Sequence, residues 1–212
     1  MEKVASKILG VKVHIGGYYP QPGAHSISFS DIRISSPPGF DTDIAIQIGN
    51  VSIKDISSDH DRVVFGKVVL GHVIVFMGIR RDATNLMALL SGIDAAELAH
   101  TGYKAGLSDV RAGIFVLRSF PIPLDRNFDP LDVEPLAMKN VGGDATVGED
   151  AVDVLREIMR LCYRSAAKHS YLRFMETSSL QQIQSSLNVG KGFVSVAKNG
   201  TLWRGEDEGS DR

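Results

Sequence analysis

The residue types that could carry chemistry in this chain are few, and their spacing does not assemble a catalytic site. No two histidines stand at metal-ligand spacing and no Cys-x-x-Cys pair occurs; the histidines are His14, His25, His60, His72, His100 and His169. The run Asp59-His60-Asp61 could hold a metal weakly, but Asp and His are ordinary turn residues between two strands. The pattern therefore predicts a protein that is not an enzyme and that has no cofactor or metal.

Two single residues could still act alone, and both have a structural explanation. Cys162 is the only cysteine, and it falls on the apolar face of a predicted helix, where a buried thiol is favoured over a reactive thiolate. His72 lies within an apolar strand, where a hydrogen-bonded core histidine is favoured over a ligand. Neither residue changes the prediction of a non-enzyme.

Charge and hydropathy narrow the class of partner. The 23 basic and 25 acidic residues are balanced, and no Lys- or Arg-rich run supplies the footprint of a nucleic-acid-binding protein. No stretch reaches the ~18 apolar residues of a membrane-spanning helix, and residues 1–10 lack the apolar centre of a signal peptide. We therefore expect either that the protein acts where it is made or that a targeting segment or anchor is missing from this chain.

The elements that must position any site are mostly strands. In residues 26–34 the apolar positions change from odd to even numbers at Ser30-Asp31, and in residues 44–53 they change from even to odd at Gly49-Asn50. A strand has a side-chain period of two, so each change predicts a bulge or a break. Two neighbouring strands with such interruptions indicate a strongly twisted, curved sheet.

Residues 63–77 are apolar at odd and even positions alike, which predicts a strand covered on both faces. Burial of one Val, Ile or Phe is worth roughly 1.5–3 kcal/mol, too much to leave a whole face in water. The cover is either the chain's own helices or an outside partner, namely acyl chains or another protein. The even-numbered residues predicted to meet that cover are Val64, Val68, Leu70, Ile74 and Phe76.

Helices are predicted at both ends and in the middle of the chain. Residues 2–9 form a short amphipathic helix stopped by Gly10, and Asp82 or Thr84 caps a second helix that ends near Gly92. Thr146 and Glu149 match a capping box before a helix that runs to about residue 187, with Ser170 or Ser178 as candidate breaks.

The predicted fold class is α+β, with a strongly twisted, curved antiparallel sheet packed against a long C-terminal helix. The sheet comprises residues 11–77 and 113–141. The chain divides into residues 1–145 (the sheet with short helices), 146–190 (the covering helix) and 191–212 (an extension with an acidic tail).

The order of the strand runs resembles the N-terminal unit of the AsmA family of bacterial envelope proteins. A short helix runs directly into the first strand in both. The segments that carry the resemblance are Leu9-Gly10-Val-Lys-Val-His-Ile15, Phe29-Ser-Asp-Ile-Arg-Ile34, Pro37-Pro-Gly-Phe40, Ile46-Gln-Ile-Gly-Asn-Val-Ser-Ile53, Asn85-Leu86-Met-Ala-Leu-Leu90 and Leu136-Ala-Met-Lys-Asn-Val-Gly142. These motifs are structural, and none is catalytic.

The resemblance implies a membrane-associated protein of lipid-handling or envelope-maintenance type, at the periplasmic side of the bacterial inner membrane. The partner it implies is phospholipid or a membrane surface, met by the even-numbered apolar residues. The alternative is an accessory structural subunit of a larger membrane complex, bacterial or of the mitochondrial inner membrane. In that case other subunits are the partners, and Trp203 is a candidate partner-contacting residue.

Overall fold

The computed structural model describes residues 1–59, 62–93, 104–113, 115–121, 129–169, 171–172 and 175–187. These residues form a mixed α+β structure, in which a curved sheet of eight strands is accompanied by four helices. The elements in order are α1 (Glu2–Leu9), β1 (Val13–Gln21), a 3₁₀ turn (Pro22–Ala24), β2 (Ser26–Ser35), β3 (Ile44–Asp59), β4 (Arg62–Ile79), α2 (Asn85–Ser91), β5 (Lys104–Ala112), β6 (Phe115–Pro121), β7 (Leu131–Asp132), β8 (Leu136–Thr146), α3 (Val147–Lys168) and α4 (Thr177–Leu187).

The sheet is mixed rather than antiparallel, so that part of the prediction is wrong. Strands β1 to β4 pair in antiparallel order, but β4 runs parallel to both β5 and β6. Parallel neighbours need a crossover connection, and the segment after β4 carries α2. Strand β5, which the sequence analysis left unassigned, lies between β4 and β8.

The predicted interruptions lie where the side-chain parity changes, and they form a row across the sheet. Asp31 (φ 48°) and His72 (φ 53°) have left-handed backbones, and the pairing places Gly16 and Gly49 beside them. The register is the same on both sides of the row, so the strands reverse their pleat without an extra residue. A Cβ on Gly16 would lie 3.0 Å from the Asp31 Cβ, which explains the glycine opposite. Interruptions of this kind are devices by which sheets curve.

A second reversal crosses β3 and β4 at Asp55 (φ 56°) and Gly66. Because of these two reversals, the core-facing residues of β4 do not follow a simple alternation of odd and even positions. The residues that reach the core are Phe65, Val68, Leu70, Val73, Val75, Met77 and Ile79. The prediction that the even-numbered residues of this strand share one face is therefore wrong, because the parity of the core-facing positions changes twice.

The helices cover the core face of the sheet. In α3, Leu155, Ile158, Cys162 and Ala166 are buried, which confirms the apolar face predicted for this helix. The helix ends at Lys168, and α4 begins at Thr177. A single helix from 147 to 187 is therefore wrong, and the break falls near the first of the two candidate positions.

One end of the β3–β4 hairpin is densely packed; we call residues 44–48 and 73–79 the packed end. Val73, Val75 and Met77 have no exposed surface. The Asn85 side chain accepts a hydrogen bond from the Gly78 N–H (2.9 Å) and donates to the Phe76 carbonyl (2.7 Å). These bonds tie α2 to β4 and account for the asparagine at the start of the Asn-Leu-x-x-Leu-Leu segment.

The N-terminus of α2 is closed by a second polar contact. Thr84 is the N-cap, which confirms one of the two predicted candidates for this position. Its hydroxyl accepts a hydrogen bond from the Met87 N–H at 3.2 Å. The same hydroxyl hydrogen-bonds the phenol of Tyr163 in α3. Burial raises the pKa of Tyr163 above its ordinary value, so the phenol stays protonated near neutral pH.

A candidate apolar ligand site

The other end of the hairpin borders a cavity; we call residues 51–56 and 65–70 the hollow end. The cavity measures about 350 Å³ and lies between the sheet, α1 and α3. A well-packed interior leaves few voids larger than one water molecule, whereas ligand pockets measure roughly 300–1,000 Å³. The space therefore has the size of a binding site.

The floor of the cavity is the core face of the sheet. Strands β2 to β5 supply it, and their reversals bring odd and even positions to the same face. The floor residues are Ile34, Ile48, Ile53, Phe65, Val68, Leu70 and Leu107. The reversal at Gly66 is thus what places Phe65 on the same face as Val68 and Leu70.

Helix α1 forms one wall. It contributes Ala5, Ile8 and Leu9, yet none of residues 2–9 is fully buried. Val4 is 48% exposed and is not among the residues that line the cavity. Gly10 ends the helix in the left-handed conformation (φ 65°), as predicted for a stop.

Two side chains attach α1 to the edge strand β1. Ser6 Oγ accepts from the Val13 N–H at 2.8 Å, and Glu2 Oε1 accepts from the Ile15 N–H at 2.6 Å. The Glu2 carboxylate also lies 3.1 Å from His14 Nδ1. The Ile15 N–H and, to a smaller extent, His14 lower the pKa of Glu2 below its ordinary value, although the side chain is about half exposed.

Helix α3 forms the opposite wall, and it is the more firmly held of the two. Its lining residues are Ala151, Val152, Val154, Leu155 and Ile158. One turn further, Met159 and Tyr163 are completely buried. The cavity therefore has one wall anchored in the core and one wall that lies on the surface.

The lining can bind apolar matter and nothing else. All fifteen described lining residues are Ala, Val, Ile, Leu or Phe, and none has a polar side chain. An unpaired polar group buried in such a space costs about 2–7 kcal/mol. The site can therefore hold a hydrocarbon group by the hydrophobic effect, but it offers no acid, base or nucleophile.

The five residues predicted to share one face are divided by the structure. Val68 (8% exposed) and Leu70 (5%) line the cavity. Val64, Ile74 and Phe76 are only partly buried and do not belong to the core cluster, which places them on the opposite face of the sheet. The physical reason is the two reversals: the one at Gly66 separates Val64 from Val68, and the one at Gly71-His72 moves Ile74 and Phe76 to the other side.

The sequence analysis missed the other lining residues, although a signal for some of them was present. Gly66-Lys67 and Gly71-His72 repeat the pattern of a glycine followed by a polar residue that marked the change at Gly49-Asn50. A reversal at each would have placed Phe65, Val68 and Leu70 on one face. The contributions of α1 and α3 depend on tertiary packing and carry no such local signal.

The other candidate residues offer no second site within the described chain. Cys162 is completely buried, and burial raises the pKa of its thiol well above the ordinary value, which confirms a structural role. His72 is exposed rather than in the core, because it occupies a left-handed position in the row. No group of three or more His, Cys, Asp or Glu side chains with metal-binding geometry occurs among the described residues. His60 and Trp203 lie outside them.

Comparison of the chain with protein-family models, curated proteins and solved structures finds no match. Among the described residues, no helix combines the length and the hydropathy needed to cross a membrane.

Proposed function

We propose that this protein is a non-catalytic, membrane-associated protein that holds the apolar part of a lipid, as AsmA-type lipid-handling and envelope-maintenance proteins do. The observation that supports the proposal is the cavity of about 350 Å³ lined only by apolar side chains. Membrane lipids are the abundant molecules whose hydrocarbon parts suit such a lining. The proposal includes a strongly twisted sheet, because the two reversals across β3 and β4 would shape its concave floor.

The partner in this proposal is phospholipid or a membrane surface, and nucleic acid has no part in it. By the resemblance to the AsmA family, the location is the periplasmic side of the bacterial inner membrane. The alternative location is the mitochondrial inner membrane.

A second function, as an accessory structural subunit of a larger membrane complex, is favoured by a different observation. Ile74 and Phe76 form a partly buried apolar stripe on the face of the sheet opposite to the cavity, and Val64 lies on the same face beyond Lys67 and His72. A subunit that packed on this stripe would complete its burial. Trp203 stays a predicted partner contact under this second function.

The first experiment is a native mass spectrum of the tagged protein, isolated from its own cells in a gentle detergent. A protomer that carries adducts of lipid mass is the expected result. A complex of fixed stoichiometry without lipid would favour the subunit function, and a bare protomer would contradict both.

Two variants separate the functions. Ala5→Phe adds a ring to the half-exposed wall of the cavity and should remove the lipid adducts. Ile74→Asp places a charge on the opposite stripe and should leave the adducts in place while it dissociates any complex. The reverse pattern, adducts lost only with Ile74→Asp, would count against the cavity as the lipid site.

A further inference from the structure

We infer that the cavity takes a single unbranched hydrocarbon chain, as in a fatty acid or a monoacyl lipid, and that it discriminates by chain length rather than by headgroup. The inference rests on the proposed function, and it names the ligand class for the same site. Three properties of the cavity carry it: the chemistry of its lining, its volume, and the unequal anchoring of its two walls.

The lining leaves the headgroup outside. Within the described chain, each lining residue has a hydrocarbon side chain, and the strands of the floor use their backbone groups in the ladders between β2, β3 and β4. A carboxylate, glycerol or phosphate inside would find no hydrogen-bond partner there and would lose its hydration. A ligand that places only its tail in the cavity avoids that loss. Its affinity then depends on the tail.

The volume limits the tail to one chain of moderate length. An engineered apolar cavity of about 150 Å³ holds one benzene ring, and this scale gives on the order of a dozen carbon atoms for the present cavity. Both tails of a typical diacyl lipid would exceed that space. A longer single chain would leave its remaining methylenes outside, where they gain nothing further.

The unequal walls give the route of entry. Helix α3 is anchored by the completely buried Met159 and Tyr163. Helix α1 has no fully buried residue, and its Ser6 and Glu2 side chains accept hydrogen bonds from strand β1. Gly10, at the C-terminal end of α1, lies close to Gly92, since a Cβ on Gly10 would be 2.9 Å from the Gly92 carbonyl oxygen. The hydrocarbon chain of the ligand therefore enters beneath α1. To admit it, α1 moves about its own C-terminal end while α3 stays in place.

The test is a calorimetric titration of the full-length protein with octanoic, dodecanoic and hexadecanoic acids, each below the concentration at which it aggregates. The monoacylglycerols of the same chains serve as the headgroup comparison. Each methylene that enters the cavity should raise the affinity about fourfold, which gives on the order of a hundredfold from octanoic to dodecanoic acid. The affinities for dodecanoic and hexadecanoic acid should differ by no more than about threefold. The affinities for an acid and for the monoacylglycerol of the same chain should also agree within about threefold. One chain should bind per protein.

A pair of variants on the same helix ties this length limit to the cavity. Ala5→Phe fills part of the space and should lower the affinity for dodecanoic acid about tenfold or more, with a smaller effect on octanoic acid. Val4→Phe adds a ring to the exposed side of α1 and should change neither. If Ala5→Phe does not fold, as judged by circular dichroism, Val154→Phe fills the cavity from the opposite wall and replaces it.

The outcomes separate this inference from the proposed function. An affinity that keeps rising to hexadecanoic acid, a headgroup preference above about tenfold, or two chains per protein would overturn the single-tail inference, even if lipid adducts persist in the native mass spectrum. Failure of all these ligands to bind would also overturn it, and an absence of lipid adducts would then remove the proposed function as well.

Discussion

The packed end and the hollow end of the β3–β4 hairpin belong to the same two strands, yet they meet different surroundings. At the packed end, Val73, Val75 and Met77 are completely covered, and α2 is fixed there by the Asn85 hydrogen bonds. At the hollow end, Phe65, with Val68 and Leu70, borders about 350 Å³ of space under the surface helix α1. The packed end has no charged residue, whereas the hollow end includes Lys54, Asp55 and Lys67. The comparison shows that one hairpin can be sealed by helices at one end and leave space for a ligand at the other.

The largest effect should come from the same truncation made at each end. Leu89→Ala, in α2 against the packed end, removes a side chain with no exposed surface and should cost about 3–5 kcal/mol of unfolding free energy. Leu70→Ala opens into an existing cavity, loses fewer contacts and should cost about 2–3 kcal/mol. Urea denaturation of both variants measures the difference, and equal costs would break the distinction between the two ends.

The next effect concerns the polar attachment of the packed end. Asn85→Ala leaves the Gly78 N–H and the Phe76 carbonyl without their side-chain partner and should cost about 2–3 kcal/mol. The control is Asn50→Ala, at an exposed strand position, which should stay within about 0.5 kcal/mol. A thermal or urea melt of the two variants compares them directly, and a neutral Asn85→Ala would mean that apolar packing alone holds α2.

A smaller effect should follow from the second reversal, which shapes the hollow end. Gly66→Ala brings a Cβ to 2.7 Å from the Asp55 Cβ, so the strands must shift at a cost of about 1–3 kcal/mol. Gly23→Ala is the matched control, because a Cβ there has nothing within 4 Å. If the reversal positions Phe65 in the cavity, Gly66→Ala should also weaken dodecanoic acid binding, and a stable variant with unchanged binding would contradict that role.

The smallest effect should be seen at the surface wall of the hollow end. The pKa of Glu2 is lowered in the folded chain, chiefly by the Ile15 N–H and then by His14, with the Met1 amine adding to the effect. The carboxylate therefore contributes fully above pH 4.5, and its contribution is lost as the pH falls through the lower folded value. Below pH 4.5, the protection factor of the Ile15 amide, which compares its exchange rate with the intrinsic rate at the same pH, should fall while the packed end stays protected.

Glu2→Gln provides the control for this pH dependence. The amide oxygen can still accept from Ile15, but it does not titrate in this range. The variant should therefore lose most of the acid-induced change in exchange. A variant that kept the full change would show that Glu2 is not the group that titrates.

Much of the local structure was predictable because it depends on neighbours in the chain. Thr84 as a cap, Gly10 as a stop, and the buried face of α3 follow from short-range patterns of hydrogen bonding and periodicity. The change of parity at Ser30-Asp31 was also visible in the sequence, and the structure places a left-handed residue there. These features need only the residues within one or two turns, or within one strand.

The prediction failed for features that depend on which residues of a neighbouring strand lie opposite. Val64, Ile74 and Phe76 were placed with Val68 and Leu70 because a regular alternation was assumed through Gly66 and Gly71. Each of these glycines admits a reversal only because of what the paired strand presents, namely Asp55 opposite Gly66. The parallel pairing of β4 with β5 and β6 was missed for a related reason, since pairing partners are chosen over long distances in the chain.

By itself, the sequence determined that this chain has apolar strands with interruptions and an amphipathic helix at each side. Only the tertiary structure decided that the apolar residues of β4 divide between a packed core, a cavity and the opposite face. The physical reason is that burial is a property of what covers a surface. Helix α3 covers the floor firmly and α1 covers it lightly, and neither arrangement is encoded in the strand that they cover.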